Sequence, residues 1–309
     1  MPQYSRYPSS TQRQPMLSKT QQSRLAPSRP QRRPLKPGLW MVVVGIILLI
    51  SCTGYFKHVS AEAAASRTAQ ALSMQHATTR SQRFSQQLSS LETANPAIDV
   101  SVAIHSSLLG QQYFGIPGDY DGASTGKLIT ASDYLHHVEV GTASLSQQID
   151  GESAQDWLQA MIVNSDDTAW SVLNTFLGHP DLARYASSID LSHYNPTTNT
   201  FSAGDIASLL VKLQSGSLLN PSHQRLLMGY MKVANYRQYM VPAIPAGYTI
   251  YHKVGLDEDN VHDAAIIEHN GQSIELVIFT NGNGTYNWDA RASLIQTITS
   301  DALTAYLPE

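Results

Sequence analysis

The chain has 309 residues, a formal net charge of −4 and a single cysteine. That length accommodates one large domain or two small ones with a substantial core, and a lone cysteine excludes an internal disulfide. From Glu62 onward there are 24 acidic and 11 basic residues, a net charge near −13, which excludes nucleic acid as a partner of that part, because such binding rests on Lys and Arg neutralising phosphates.

Residues 1–37 hold seven prolines and eight Lys/Arg with no Asp or Glu. Such a stretch cannot bury enough apolar surface to offset its ordering entropy, so a disordered basic arm is expected. Residues 38–56 (GLWMVVVGIILLISCTGYF) carry no charge. As a helix rising about 1.5 Å per residue they span roughly 28 Å, the hydrocarbon thickness of a bilayer. Trp40 and Tyr55 stand near the two ends, where aromatic rings favour the interface. The arginine-rich arm then stays cytoplasmic and everything after Phe56 lies outside, a single-pass signal anchor in the cell membrane. The arm's position beside a span makes topology its simplest role, with nucleic acid or anionic lipid as alternative partners. Cys52 closes the string Leu49-Ile50-Ser51-Cys52, which resembles a bacterial lipoprotein cleavage box. In that alternative the cysteine becomes a lipidated N-terminus, although the basic region before it is far longer than in a usual signal peptide.

Residues 57–80, rich in Ala, Gln and Ser, read as a helical or flexible stalk. Residues 81–93 place Phe84, Leu88 and Leu91 on one helical face, and Asn95-Pro96 breaks the helix. Ile98 to Ile104 alternates with period two, as a half-buried strand does. From 124 to 240 the periodicity is helical, around Tyr134-Leu135, Trp157–Val163, Ala169–Leu177 and Ile206–Leu213. Strands return at Tyr248–Lys253, Ala264–His269 and Ile274–Thr280, the last two joined by an Asn270-Gly271 hairpin signal. A final helix is expected from Ala290 to Tyr306. Strand, helices, antiparallel strands and helix predict an α+β domain over 81–309, an antiparallel sheet flanked by helices with an all-helical subdomain.

Three polar clusters fall at element boundaries. In Ser124-Thr125-Gly126-Lys127 the hydroxyl and the amine stand three apart, so on a helix they share a face and the amine can activate the serine; taken alone, an ordinary helix start with a capping serine accounts for them equally well. Ser165-Asp166-Asp167 opens a helix expected from Thr168, with Asp166 suited to capping its own turn. His252-Lys253-Val254-Gly255 closes a predicted strand. Gly122-Ala-Ser-Thr-Gly126 also fits the nucleophile elbow of α/β-hydrolases, but that motif needs an apolar strand running into the serine, and Ile116-Pro-Gly-Asp-Tyr-Asp-Gly122 is loop. No His-x-x-x-His pair occurs and His136-His137 point to different faces of a helix, so neither a metal nor a cofactor is expected.

Taken in order, the three clusters resemble the S-x-x-K, S-D-N and K-T-G signature of class A serine β-lactamases and penicillin-binding proteins. Ala123–Leu128, Met161–Asp166, Ile244–Gly247 and His262–Ile266 add to the likeness, which covers roughly residues 81–307. The resemblance implies a transpeptidase-like fold and an extracytoplasmic serine hydrolase acting on a β-lactam or a peptidoglycan stem peptide. It implies Ser124 as acylated nucleophile, Lys127 as its base, Ser165 as proton relay, and Lys253 as a second cation that lowers the pKa of Lys127 and attracts a substrate carboxylate. The backbone N–H groups of Ser124 and Leu256 would form the oxyanion hole, and Asp167, Val254 and Gly255 would line the substrate site. Asp167 replaces an asparagine of the family pattern, so it cannot donate to a substrate amide and, when ionised, favours the charged form of Lys127. Val254 replaces a threonine. Between Ile189 and Gly204 the chain has no glutamate, the residue with which class A enzymes activate the deacylating water, and Asp190 is the only acid there. Acylation with slow deacylation is the resulting expectation; a D-Ala-D-Ala carboxypeptidase and a weakened cell-wall binding or regulatory domain are the alternatives.

Overall fold

The computed structural model describes residues 37–307, which fall into two compact units divided between Ala64 and Ala65. The basic arm, except for Pro37, lies outside the described residues. In the first unit the chain is helical from Pro37, and its apolar side chains from Trp40 to Phe56 are exposed. Among the described residues this helix alone is long and apolar enough to cross a membrane.

Helix α1 is assigned from Pro37 to Ala94, so residues 57–80 are helical rather than irregular, and it stops at the Asn95-Pro96 pair. The chain then forms β1 (Asp99–Ser106), β2 (Gly110–Gly115) and β3 (Tyr120–Asp121), and a 3-10 turn over Ala123–Gly126 leads into α2 (Lys127–Glu139). A small hairpin of β4 (Gln148–Ile149) and β5 (Glu152–Ser153) precedes α3 (Ala154–Val163), α4 (Asp167–Leu177) and α5 (His179–Ser188). After β6 (Thr200–Phe201) come α6 (Ala203–Ser215) and α7 (Pro221–Lys232). The chain ends with β7 (Thr249–Asp257), β8 (Asn260–His269), β9 (Gln272–Asn281) and α8 (Trp288–Tyr306).

The main sheet is antiparallel with strand order β2-β1-β9-β8-β7. Alternation along its strands feeds two separate apolar clusters, because successive side chains leave a strand on opposite faces. Ala103, Ala264, Ile266, Val277 and Phe279 join Leu128, Leu158, Leu173 and Leu210 of the helical lobe. Val102, Ile104, Ala265, Leu276 and Ile278 join Phe84 and Leu88 of α1 and Ile295 and Ile298 of α8. Each Phe or Leu so buried contributes about 1.5–3 kcal/mol of transfer free energy. The α+β class, with its sheet, helices and helical subdomain, is as the sequence leads one to expect.

Two strand boundaries differ from expectation by four residues each. The strand through His252-Lys253 does not end there but runs on to Asp257, with Gly255 paired to His262. Glycine is needed at that point for close approach: a Cβ on Gly255 would stand 3.0 Å from Gly122 O and 3.2 Å from Ala123 Cβ. In the same way β8 starts at Asn260 rather than Ala264, since His262 and Asp263 are buried polar residues that interrupt the apolar pattern without interrupting the ladder.

Candidate active site

Ser124 stands on the 3-10 turn, so the pair with Lys127 arises from a tight turn passing into α2 rather than from the body of a helix. The turn is held from three sides. Asp121 Oδ1 accepts from Ala123 N at 2.9 Å, Thr125 N and Oγ1 both donate to Gly122 O, and Asn199 Nδ2 donates to Ala123 O at 2.9 Å. Beneath it, fully buried His262 receives Thr280 N–H on Nδ1 at 3.1 Å, which places its own proton on Nε2, the atom that donates to Asp121 O at 2.7 Å. Burial pushes the His262 pKa down to about 4, which preserves this neutral tautomer. Ala123, immediately before the serine, is held at φ 45°, in the left-handed region that costs a non-glycine residue free energy and is kept only where surrounding contacts enforce it.

Lys127 extends from the first turn of α2 into a fully buried position. Its Nζ lies 2.9 Å from Ser124 Oγ, 2.7 Å from the Ser165 carbonyl oxygen, 3.4 Å from Ser165 Oγ and 2.5 Å from Asp167 Oδ1. It also lies 5.2 Å from the centroid of the Trp170 ring. Burial lowers the Lys127 pKa from its ordinary value, while the hydrogen bond and charge of Asp167 act in the opposite sense. The two carboxylates of this cluster do different work. Asp166 caps α4 by accepting from Ala169 N at 2.8 Å, and Asp167, with 85% of its side chain exposed, reaches from solvent to the lysine.

Ser165 sits between α3 and α4 with φ 60°, which turns its hydroxyl toward the sheet. Lys253 Nζ of β7 meets that hydroxyl at 2.8 Å and its own neighbour's carbonyl, Val254 O, at 2.9 Å. Burial first, and the charge of Lys127 second, bring the Lys253 pKa down to about 7. Asp263 opposes that fall, although its carboxylate is directed to His252 Nδ1 at 3.1 Å and Met240 N at 3.1 Å. Ser124, Lys127, Ser165, Asp167 and Lys253 are therefore brought together as one continuous polar chain.

The remaining expected residues are placed differently. Gly255 backs onto the Ser124 turn, and Leu256 follows it on the same strand. Val254 does not line the cleft with its side chain: it is buried in the second apolar cluster, because strand alternation sends it away from the side on which Lys253 reaches Ser165. Asp190 lies apart from the serine, paired with Lys212 Nζ at 2.9 Å. The residue that the 189–204 segment brings to the serine turn is Asn199, whose Oδ1 is buried without a hydrogen-bond partner and would stand 2.3 Å from a Cβ on Gly126. Its φ of 51° is one that asparagine tolerates well, and the β3–β6 pairing of Tyr120 with Phe201 carries it to the site.

The family model described as the β-lactamase enzyme family matches residues 83–306. Among solved structures, the chain is similar to an ancestral class A β-lactamase, with 21% identity, 72% of this chain and 100% of that one covered, and a TM-score of 0.67. It is similar to the protein titled PBP-A at 21% identity, covering 74% of this chain and 97% of that one with a TM-score of 0.68, and equally to a mutant of PBP-A solved as its acyl-enzyme complex with penicillin G. At that identity the likeness is one of fold. No curated protein matches the chain in sequence.

Proposed function

Because the chain belongs to the β-lactamase enzyme family, we propose that it is a membrane-anchored, extracytoplasmic serine acyl-enzyme whose Ser124 is acylated by β-lactams and released slowly. The observation that carries this reading is the position of Lys127 Nζ, fully buried, with a lowered pKa and 2.9 Å from Ser124 Oγ. A neutral amine there accepts the Ser124 proton as Oγ attacks the lactam carbonyl carbon. The carbonyl π-electrons move to oxygen, and the N–H groups of Ser124 and Leu256 stabilise the resulting oxyanion. When the C–N bond breaks, the ring nitrogen takes a proton from Ser165 Oγ, which regains one from Lys253 or Lys127, both within hydrogen-bond reach. Lys253, protonated below about pH 7, also draws in the substrate carboxylate.

Slow release follows from what flanks the serine. The 189–204 segment offers Asn199 and no carboxylate at the Ser124 turn, and an amide cannot take a proton from water as a base does. The Asp167–Lys127 contact favours a second reading, a catalytically weakened cell-wall binding or regulatory domain of the same fold, since a carboxylate at that place weakens the base. The domain organisation proposed is an arm over 1–37, a span over 38–56, a stalk over 57–80 and the acyl-enzyme domain over 81–309.

The full chain, purified in detergent, would be incubated with benzylpenicillin and with a chromogenic cephalosporin while intact mass and turnover are followed, beside Ser124→Ala. A long-lived adduct of one penicilloyl group, absent from the mutant, is the expected result. Fast turnover lost in the mutant would make the protein an efficient lactamase instead, and neither adduct nor turnover would overturn the acyl-enzyme reading.

A further inference from the structure

At the far end of α2 from Lys127 a second cluster of titratable side chains has no part in the chemistry above. Asp133 and His137 are four apart on α2 and so share a face, and Asp181 comes from the first turn of α5. Their donor atoms all lie within 4.8 Å of one another. Asp133 is 1% exposed, and neither of its carboxylate oxygens has a hydrogen-bond partner. Buried polar atoms are nearly always partnered, and an ionised carboxylate left bare is costly. The nearest donor does not supply the deficit: His137 Nε2 is 3.7 Å from Asp133 Oδ1 and is turned instead to Asp181 Oδ2 at 2.7 Å.

The surroundings orient His137 and Asp181 as a cation needs, while burial raises the Asp133 pKa to about 7, so a cation there would displace a proton from it. His137 Nδ1 lies 2.8 Å from Thr142 Oγ1, whose hydroxyl proton is directed to the His137 carbonyl oxygen at 3.1 Å. The hydroxyl therefore accepts the Nδ1 proton, so Nε2, whose 2.7 Å contact with Asp181 Oδ2 needs a proton between them that a cation would replace, is the nitrogen left for ligation, the outer-sphere arrangement typical of a ligating histidine. Arg184 engages Asp181 Oδ1 and not Oδ2, so it fixes the carboxylate while leaving the inner oxygen to the cluster. With metal–ligand distances near 2.0–2.2 Å, tetrahedral neighbours stand roughly 3.4 Å apart, between the 2.7 and 3.7 Å observed at Nε2.

We propose that Asp133, His137 and Asp181 bind a divalent first-row transition metal that cross-links α2 to α5. One imidazole with two carboxylates suits Zn²⁺ or Mn²⁺, whereas an all-oxygen set would be needed to favour Mg²⁺. Because α2 begins with Lys127, the ion steadies the helix that carries the base.

Zn²⁺ would be titrated into the chelator-treated full chain in detergent by calorimetry, with thermal unfolding followed in parallel. The variants are Asp133→Asn, Asp181→Asn and His137→Gln, each checked for native circular dichroism. The wild type should show one Zn²⁺ site, and a rise in melting temperature with Zn²⁺, that all three variants lack. Thr142→Val, which touches no ligand atom, should weaken Zn²⁺ binding about tenfold or more while keeping the site. Equal Zn²⁺ stoichiometry and affinity in wild type and variants, or no Zn²⁺ binding by wild type, would overturn the proposal. Mg²⁺ binding the site as tightly as Zn²⁺ would overturn the transition-metal assignment.

Discussion

Replacing Asp167 by Ala or Asn tests whether its charge restrains Lys127. The carboxylate oxygen is 2.5 Å from Nζ, where unit charges attract by about 1.7 kcal/mol in a water-like dielectric and about four times that at the effective dielectric of a partly buried pair. With the Asp167 side chain 85% exposed, solvent screening holds the contact near the lower figure, about 1–2 kcal/mol. That energy favours the ammonium form alone, so its removal should raise the fraction of Lys127 able to act as base by about 5- to 30-fold at neutral pH. The acid limb of the acylation profile should move to lower pH, because the folded pKa falls when a stabilising anion is withdrawn. Stopped-flow acylation by benzylpenicillin from pH 5 to 10 measures both. The two substitutions separate charge from hydrogen bonding: Asn supplies a donor to a substrate amide, and Ala supplies nothing. An Asp167→Ala protein with the wild-type rate and an unmoved acid limb would refute the argument, even if Asp167→Asn were faster.

Stability should fall in acid through His262. Its folded pKa, about 4 against an ordinary 6.5, means that the unfolded chain binds the extra proton between those values; folding free energy is therefore retained above pH 6.5 and lost as pH falls toward 4, by about 3 kcal/mol for a fully buried group. Urea midpoints at pH 7 and pH 4.5 should differ in the wild type and differ less in His262→Asn; equal pH dependence in the two would count against it. Gly122→Ala should also be damaging, since the new Cβ would stand 1.8 Å from the fully buried Phe201 ring. Overpacking of that kind costs about 1–3 kcal/mol, and because Gly122 receives the Thr125 bonds, penicillin acylation should slow along with the loss in melting temperature. Normal acylation in a normally stable variant would show that the turn has more room than the ring contact allows.

How far the sequence could be read depended on how local each feature is. Ser124, Lys127 and Ser165 were legible because spacing within a turn, and order along the chain, carry their meaning. The motif marks Lys253 but not the length of its strand, since Gly255 resembles a strand end in sequence and is a glycine because Gly122 O and Ala123 Cβ press against it. The motif puts Val254 at the cleft but does not state which face of the sheet its side chain takes, and the strand turns it into the second apolar cluster. Strand β2 has no signature in the sequence: Gly110–Gly115 is half-exposed with two glutamines, and only its ladder to β1 makes it a strand. Asn199 and the Asp133–His137–Asp181 cluster were illegible for the same reason. Their partners are contributed by distant segments, and a search for paired histidines does not find a carboxylate four residues before one.

One consequence of the Lys127 surroundings concerns the count of its hydrogens. Four oxygens converge on Nζ: Ser124 Oγ, the carbonyl and hydroxyl of Ser165, and Asp167 Oδ1. An ammonium has three N–H bonds to offer them and a neutral amine only two, with its lone pair claimed by the Ser124 hydroxyl. Either form therefore leaves one of the four contacts unmade in the free protein, whereas once Ser124 Oγ is acylated an ammonium has three N–H bonds for the three oxygens that remain. Where Ser165 is re-protonated from Lys253, 2.8 Å away, Lys127 keeps the serine proton and supplies that third N–H in the acylated protein. Acylation should accordingly stiffen the junction of α2 and α4, with slower amide exchange around Lys127 and Asp167 in the penicilloyl protein than in the free one.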